Sequence, residues 1–371
     1  MIWLTWRQSR PQAVASLAAL AAFALLLGAT EPRLASMYAS SGISTCHAQG
    51  CNRSAGDFLS LLSGSYTVVF MLGIAAVILA PALIGTFWGA PLIAREFETG
   101  TFRMVWMQSV TRARWVAAKL ALPGLAAIVV TEGLTLMDGW WAAPIGQAAR
   151  LAPGTSFPLG MGPFSLPAFD AHGVVPLSYA AFGFTLGVTV GVLFRRALPA
   201  MAVTLAVFAA VQVAMPLAIR PNLFPPAHTT QSLAESFSGR QSVGIGGKFT
   251  FTLAYIDSEP GSWILSSGAA DAAGRPVSIM PAACQNAAAS SGDPTQCLVS
   301  HGIGIAASYQ PASRYWPIQW TETGIYLALA LALGGFCYWR LGRRLPLHLS
   351  RGATPGNGRS ASRRHPGGRS R

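Results

Sequence analysis

Acidic residues are scarce in this chain, which has 13 of them among 371 residues, against 26 lysines and arginines. Charged residues make up 11% of the sequence, about half of their usual share in a soluble domain. Hydrophobic residues make up 52% and fall in long uninterrupted blocks. These proportions exclude an ordinary soluble domain and predict an integral membrane protein.

The chain also lacks the motifs of an ATP-binding protein or a metalloprotease. The nearest approach to a phosphate-binding loop has Ser242 in place of the first glycine and Phe249 in place of the final serine or threonine. No H-E-x-x-H sequence occurs, and all six histidines lie outside the apolar blocks. We therefore predict a protein that is not an enzyme and binds no cofactor or metal directly. If ATP powers it, a partner must bind the ATP and magnesium.

The net charge of +13 raises the possibility of a nucleic-acid partner, but the position of the basic residues argues against it. They lie beside apolar blocks and in the C-terminal tail. With the N-terminus in the cytoplasm, the two short outer loops hold only Arg33, Arg53 and Arg150, and most other basic residues lie inside. The positive-inside rule thus predicts that both termini are cytoplasmic, with membrane lipid and no nucleic acid as a partner.

Six apolar blocks are each long enough to cross a bilayer, which takes about 20 helical residues. We predict an all-α polytopic membrane protein with six transmembrane helices and a large extracytoplasmic loop. Pro81, Gly85, Gly89 and Pro91 interrupt the overlong second block, which predicts a bend there. The predicted segments are 1–30 (interfacial helix and first span), 31–65 (outer loop), 66–94 (second span), 95–116 (cytoplasmic loop), 117–137 (third span), 138–173 (outer loop), 174–219 (fourth and fifth spans), 220–317 (large outer loop), 318–339 (sixth span) and 340–371 (disordered basic tail).

The large outer loop contains two stretches typical of strands, KFTFTLAYI at 248–256 and SWILSS at 262–267, so we expect some β-structure in it. Four of the five cysteines fall in the first and third outer loops, which face an oxidising space, and Cys337 lies in the sixth predicted span. Two local disulfides, Cys46 with Cys51 and Cys284 with Cys297, are predicted. Pairing between the loops and a metal site with the adjacent histidines remain open, although the spacing fits no standard zinc pattern.

Glu132 is the only ionisable residue deep in a predicted span, and such residues often mark a transport pathway. It could serve an ion- or proton-coupled secondary transporter, or it could be hydrogen-bonded between helices for structural reasons. A secondary transporter normally shows more such groups or two repeated halves, and no repeat is evident.

The segment 95–116 carries two of the few acids, Glu96 and Glu98, directly after the second block. Gly100 breaks the helix, and Thr101 can cap a short amphipathic helix at residues 102–108. Such a helix would expose an apolar stripe that includes Phe102 and Trp106, as a docking element should. An ordinary interfacial loop, in which the acids neutralise neighbouring arginines, is the alternative.

This segment resembles the first cytoplasmic loop of type 2 ABC transporter permeases, particularly those of actinobacteria. The resemblance rests on EFETGT at 96–101, VTR at 110–112, Trp115 and Lys119. It implies an ABC exporter subunit of the bacterial plasma membrane that pairs with a second permease chain and docks on a separate ATP-binding subunit. By the same resemblance, the residues that couple to this subunit are Glu96, Glu98, Gly100, Thr101, Phe102, Arg103, Trp106 and Arg112.

Overall fold

The chain is described by a computed structural model over residues 2–46, 51–100, 112–152, 158, 161–232, 243–245, 251–253, 261–279, 281–282, 284–285 and 294–343. Its α-helices are α1 (Ile2–Ser40), α2 (Cys51–Leu61), α3 (Ser65–Ile84), α4 (Ala90–Thr99), α5 (Arg112–Leu151), α6 (Leu166–Ala171), α7 (Val175–Phe194), α8 (Ala197–Ala214), α9 (Pro294–Ser300) and α10 (Tyr315–Arg343). Short 3₁₀ turns cover Ile43–Thr45, Arg220–Asn222 and Ala312–Arg314.

Six helical segments in the described ranges are long and apolar enough to cross a membrane, which confirms the predicted architecture. We number them span 1 (Gln12–Ser40), span 2 (Ser65–Thr99), span 3 (Arg114–Leu151), span 4 (Val175–Phe194), span 5 (Ala197–Asn222) and span 6 (Ala312–Leu341). Span 3 extends well beyond its predicted end at Met137, because α5 continues through the polar Asp138 to Leu151. The end of the bundle at Thr99 and Arg114 is called the loop end, and the opposite end the cap end.

Span 4 is the central helix of the bundle. It packs against spans 2, 3, 5 and 6, and most of its residues are buried. A helix that is apolar all round and carries no charge can be buried in this way without leaving any charge to be paired.

Spans 2 and 4 approach each other closely along a row of glycines. The helix of span 2 passes through a π-helical turn at Gly85–Gly89, which lies within the predicted bend. A side chain on Gly89 would come within 2.5 Å of the Phe184 carbonyl oxygen, and one on Gly187 would overlap the Gly85 carbonyl oxygen. Only glycine permits this backbone contact, which is typical of small-residue packing between membrane helices.

The segment after span 5 forms a small β-containing cap. One antiparallel sheet has the strand order β1–β5–β4, and a second pairs β2 with β3. The strands are β1 (Ala227–Ser232), β2 (Val243–Ile245), β3 (Phe251–Leu253), β4 (Trp263–Ala270) and β5 (Gly304–Gln310). β3 lies within the first stretch predicted to form a strand, and β4 begins in the second stretch and extends beyond it to Ala270. β1 and β5 were not predicted, because both contain small and polar residues rather than an alternation of branched or aromatic ones.

Candidate coupling site at the loop end of span 2

The acidic pair lies on a helix rather than in a loop. The helix of span 2 continues past its predicted end at Ala94 and stops at Thr99. Gly100 follows with a φ of +72°, a left-handed conformation that glycine adopts at helix C-termini without steric cost. The predicted break at Gly100 is therefore present, but Glu96 and Glu98 precede it on a rigid element.

Glu96 pairs with the first turns of span 3. Its Oε1 accepts a hydrogen bond from Nζ of Lys119, whose side chain is only 5% exposed, and the side chain of Glu96 is 14% exposed. The Lys119 ammonium group also lies 5.0 Å from the ring centroid of the buried Trp115. Lys119 therefore has both a counter-ion and an aromatic neighbour, and the ion pair ties the end of span 2 to span 3.

Glu98 reaches the beginning of span 5. Its Oε1 accepts a hydrogen bond of 2.9 Å from the backbone N–H of Ala197, the first residue of α8. A carboxylate at this position satisfies a free N–H group and interacts favourably with the helix dipole. The guanidinium of Arg195, in the tight turn between spans 4 and 5, lies 5.6 Å from the centroid of the Phe97 ring. The end of span 2 thus makes two contacts with the junction of spans 4 and 5, one through Glu98 and one through Phe97.

The remaining predicted coupling residues are only partly described. Thr101, Phe102, Arg103 and Trp106 lie outside the described residues, as does the predicted helix at 102–108. Arg112 is the first residue of α5. The structure therefore shows how the residues before this segment are anchored, and their docking role stays a prediction.

A second charged cluster, which the sequence reasoning missed, lies at the cap end. Arg220, 1% exposed, donates hydrogen bonds of 2.8 and 2.9 Å to the two carboxylate oxygens of Glu322, which is fully buried. Arg220 also pairs with Asp170. The hydroxyl of Tyr179 lies 2.7 Å from Glu322 and 3.0 Å from Asp170. This cluster joins α6 with spans 4, 5 and 6.

One guanidinium faces two carboxyl groups in this cluster, and Asp170 has the more exposed side chain of the two, at 13%. Burial raises the pKa of Asp170, and the nearby Arg220 opposes that rise without cancelling it. The centroid of the Phe169 ring lies 4.1 Å from the guanidinium carbon of Arg220. A signal for this cluster existed in the sequence, because Glu322 is the only charge in the last predicted span and needs a partner there.

A family model described as "ABC-2 membrane transporter related" matches residues 17–220, more than half of the chain. The chain belongs to this family. It is accordingly a membrane permease subunit of an ABC transporter, and the family implies an ATP-binding partner in general. The match runs from span 1 almost to the end of span 5 and includes both acids of the coupling site. Searches among curated proteins and among solved structures gave no significant match.

Glu132 of the permease lies in span 3 and is half-buried. Its Oε2 is buried and has no hydrogen-bond partner among the described residues, and no basic side chain in those ranges forms an ion pair with it. The adjacent Thr131 hydroxyl is likewise buried without a described partner.

Both local disulfides of the permease are present, Cys46–Cys51 and Cys284–Cys297. Nδ1 of His301 lies 3.7 Å from the Cys284 sulfur and 3.8 Å from the Cys297 sulfur. These three residues could approach one metal ion only if the disulfide were reduced, since the thiolate is the metal-binding form of cysteine.

Proposed function

We propose that the chain is the permease subunit of an ABC exporter of the bacterial plasma membrane. Its ATP-binding subunit, which carries ATP and magnesium, docks on the segment 101–111, and a second permease chain completes the pathway. The observation that carries the proposal is the anchoring of the residues just before this segment. Glu96 is bound to Lys119 of span 3, and Glu98 is bound to Ala197 of span 5.

This anchoring suits the transmission of movement. A helix that ends at Thr99 and is bound to two other spans through Glu96 and Glu98 would move together with them while these contacts hold. When closure of the ATP-binding subunits moves the segment 101–111, the last turn of span 2 would carry spans 3 and 5 with it. The glycine contact between spans 2 and 4 would pass the movement further into the bundle.

Two features support an orientation with the loop end in the cytoplasm. The loop end carries Arg114, Lys119, Arg195 and Arg196, which agrees with the positive-inside rule. Both disulfides lie outside the spans on the side of the cap, where an oxidising space would maintain them.

Gly100 offers a direct test of docking. Gly100→Pro should reduce co-purification of the ATP-binding subunit at least about tenfold, because proline is fixed near a φ of −65° and Gly100 requires +72°. The affinity-tagged chain would be purified from its native membranes, and the ATP-binding protein that accompanies it would be quantified by mass spectrometry.

Gly100→Asn is the matched control, because asparagine tolerates the left-handed conformation. It should retain the partner within about twofold of the parent level. Both variants should insert into the membrane normally. If the proline variant retained the partner at the parent level, the ATP-binding subunit would not dock on this segment.

A carrier driven by ions or protons through Glu132 is the second candidate, and the buried, unpartnered Oε2 of this residue is the observation that favours it. In such a carrier, the purified chain would transport without ATP, and Glu132→Gln would abolish a proton-driven flux. In the ABC permease, transport by the complex requires ATP, and Glu132→Gln should leave that requirement unchanged.

A further inference from the structure

A cavity of about 480 Å³ opens at the cap end, away from the coupling site. Its wall is formed by the outer part of span 3, the region around α6, and the start of span 6, with Phe70 of span 2 beside them. The volume lies in the range of sites that bind small molecules. Three aromatic side chains line the cavity, those of Phe70, Tyr315 and Trp316, together with aliphatic side chains such as Ile145 and Met161.

The charge on this wall is positive. Arg150 is the basic residue that lines it, and no acidic side chain is among the described residues that do so. Arg150 also forms no ion pair within the described part of the chain. An aromatic and aliphatic cavity with one guanidinium that has no ion-pair partner among the described residues complements a molecule with an apolar body and one acidic group.

A second polar feature of the cavity wall is His172, which stands in front of the fully buried Asp138. Its Nε2 lies 3.2 Å from Oδ2 of Asp138, and its Nδ1 lies 2.8 Å from the carbonyl oxygen of Ala168. Both ring nitrogens therefore face acceptors, which is the arrangement that a doubly protonated imidazole satisfies. Burial lowers the pKa of His172, but Asp138 and Ala168 raise it by more, so the net pKa is raised.

His172 lines the cavity and Asp138 does not, so the imidazole lies between the cavity and the Asp138 carboxylate. The contact with His172 is the ion pair that Asp138 makes among the described residues, and neither of its carboxylate oxygens accepts a hydrogen bond there. We therefore expect the charge of Arg150 to determine which ligands the site prefers.

We propose that this cavity binds an amphipathic anion, with its apolar body against Phe70, Tyr315 and Trp316 and its acidic group on Arg150. The site belongs to this chain alone, so it does not depend on the coupling proposed above. An anionic lipid and a soluble amphipathic acid share the required chemistry, and the experiment separates them.

The test uses the full chain in nanodiscs of phosphatidylcholine, with decanoate and decanol as a pair of probes that differ in charge. Ala143→Cys places a thiol on the exposed cavity wall, and its rate of labelling by a maleimide reports occupancy. Ser60→Cys, exposed on α2 and outside the cavity lining, is the control position. The parent chain gives the background from the buried Cys337.

Decanoate should protect Ala143→Cys at a concentration at least about tenfold lower than decanol, and neither should protect Ser60→Cys. Arg150→Gln should remove this difference between decanoate and decanol, whereas Arg150→Lys should retain most of it. Arg53→Gln makes the same change elsewhere at the cap end and should leave the difference unchanged. His172→Gln should weaken protection by decanoate several-fold, because it uncovers Asp138.

Nanodiscs that contain phosphatidylglycerol distinguish the sources of the ligand. Protection without added decanoate would identify the occupant as an anionic lipid, and protection only by decanoate would identify a soluble amphipathic acid; either result supports the site. Equal protection by decanoate and decanol, protection by neither probe nor lipid, or an unchanged preference in Arg150→Gln would overturn the proposal.

Discussion

The two ends of the helix bundle each carry a charged cluster, and the clusters differ in kind. At the cap end, Arg220 and Glu322 are buried and doubly hydrogen-bonded, with Tyr179 as a further partner. At the loop end, Glu96 and Glu98 each make one polar contact within the described part of the chain, Glu96 with Lys119 and Glu98 with the backbone of span 5.

This difference indicates where the bundle is fixed and where it can move. A buried network with several partners per group holds one geometry, because the loss of Arg220 would leave two carboxyl groups without a cation in a medium of low dielectric constant. A single contact per group breaks and reforms at lower cost than a network in which each group has several partners. The cap-end contacts therefore join spans 4, 5 and 6, and we expect the loop end to be the part of the bundle that responds to a partner.

The largest effect is expected at the cap end. Arg220→Met leaves Asp170 and Glu322 facing each other without a cation and should cost about 3–5 kcal/mol of stability. The folded yield in detergent, measured by size-exclusion chromatography and thermal unfolding, should fall severely. The double variant Arg220→Met with Glu322→Gln should recover part of the loss, since it removes a buried charge of each sign. A parent-like melting temperature for Arg220→Met alone would show that this cluster does not fix the cap end.

A smaller effect is expected midway, at the glycine row that connects the two ends. Gly187→Ala places a methyl group against the Gly85 carbonyl oxygen and should cost about 1–3 kcal/mol, because the two backbones must separate. Gly335→Ala in span 6 is the matched control, since a side chain there meets nothing within 4 Å. Thermal unfolding of the two variants side by side measures the difference, and equal melting temperatures would refute the close contact.

The smallest loss of stability is expected at the loop end. Glu96→Gln keeps the shape of the side chain but leaves Lys119 without its counter-ion, at a cost of about 1–2 kcal/mol that the nearby Trp115 ring limits. Thermal unfolding in detergent measures the loss. Glu96→Gln combined with Lys119→Met should restore the lost stability. If Glu96→Gln cost as much as Arg220→Met, the contrast between the two ends would fail.

The sequence predicted much of the fold because its signals are local. Long apolar blocks predicted six spans, paired cysteines predicted both local disulfides, and Gly100 predicted the end of a helix. The sequence GFTLGVTVG at 183–191 places a glycine at every fourth residue, a spacing typical of close packing between membrane helices.

The long-range contacts of the two charged clusters could not be predicted from such local signals. Glu98 meets Ala197, and Arg220 meets Glu322, across about a hundred residues of chain in each case. Sequence rules treat charges at the edges of apolar blocks as interfacial, so Arg220 was assigned to an outer loop instead of a buried network. Tertiary packing determines which of these edge charges turn inward.

The measurement that tests the account most directly is ATP hydrolysis by the purified complex in proteoliposomes, per bound ATP-binding subunit. Glu98→Ala removes the contact with the first N–H of span 5. The Glu98→Ala variant should keep the partner bound but lower the rate of ATP hydrolysis roughly tenfold. The rate of Glu98→Gln should lie between those of the parent chain and Glu98→Ala, because the glutamine amide oxygen still accepts that hydrogen bond. An unchanged rate in Glu98→Ala would contradict the claim that span 2 drives span 5 through this residue.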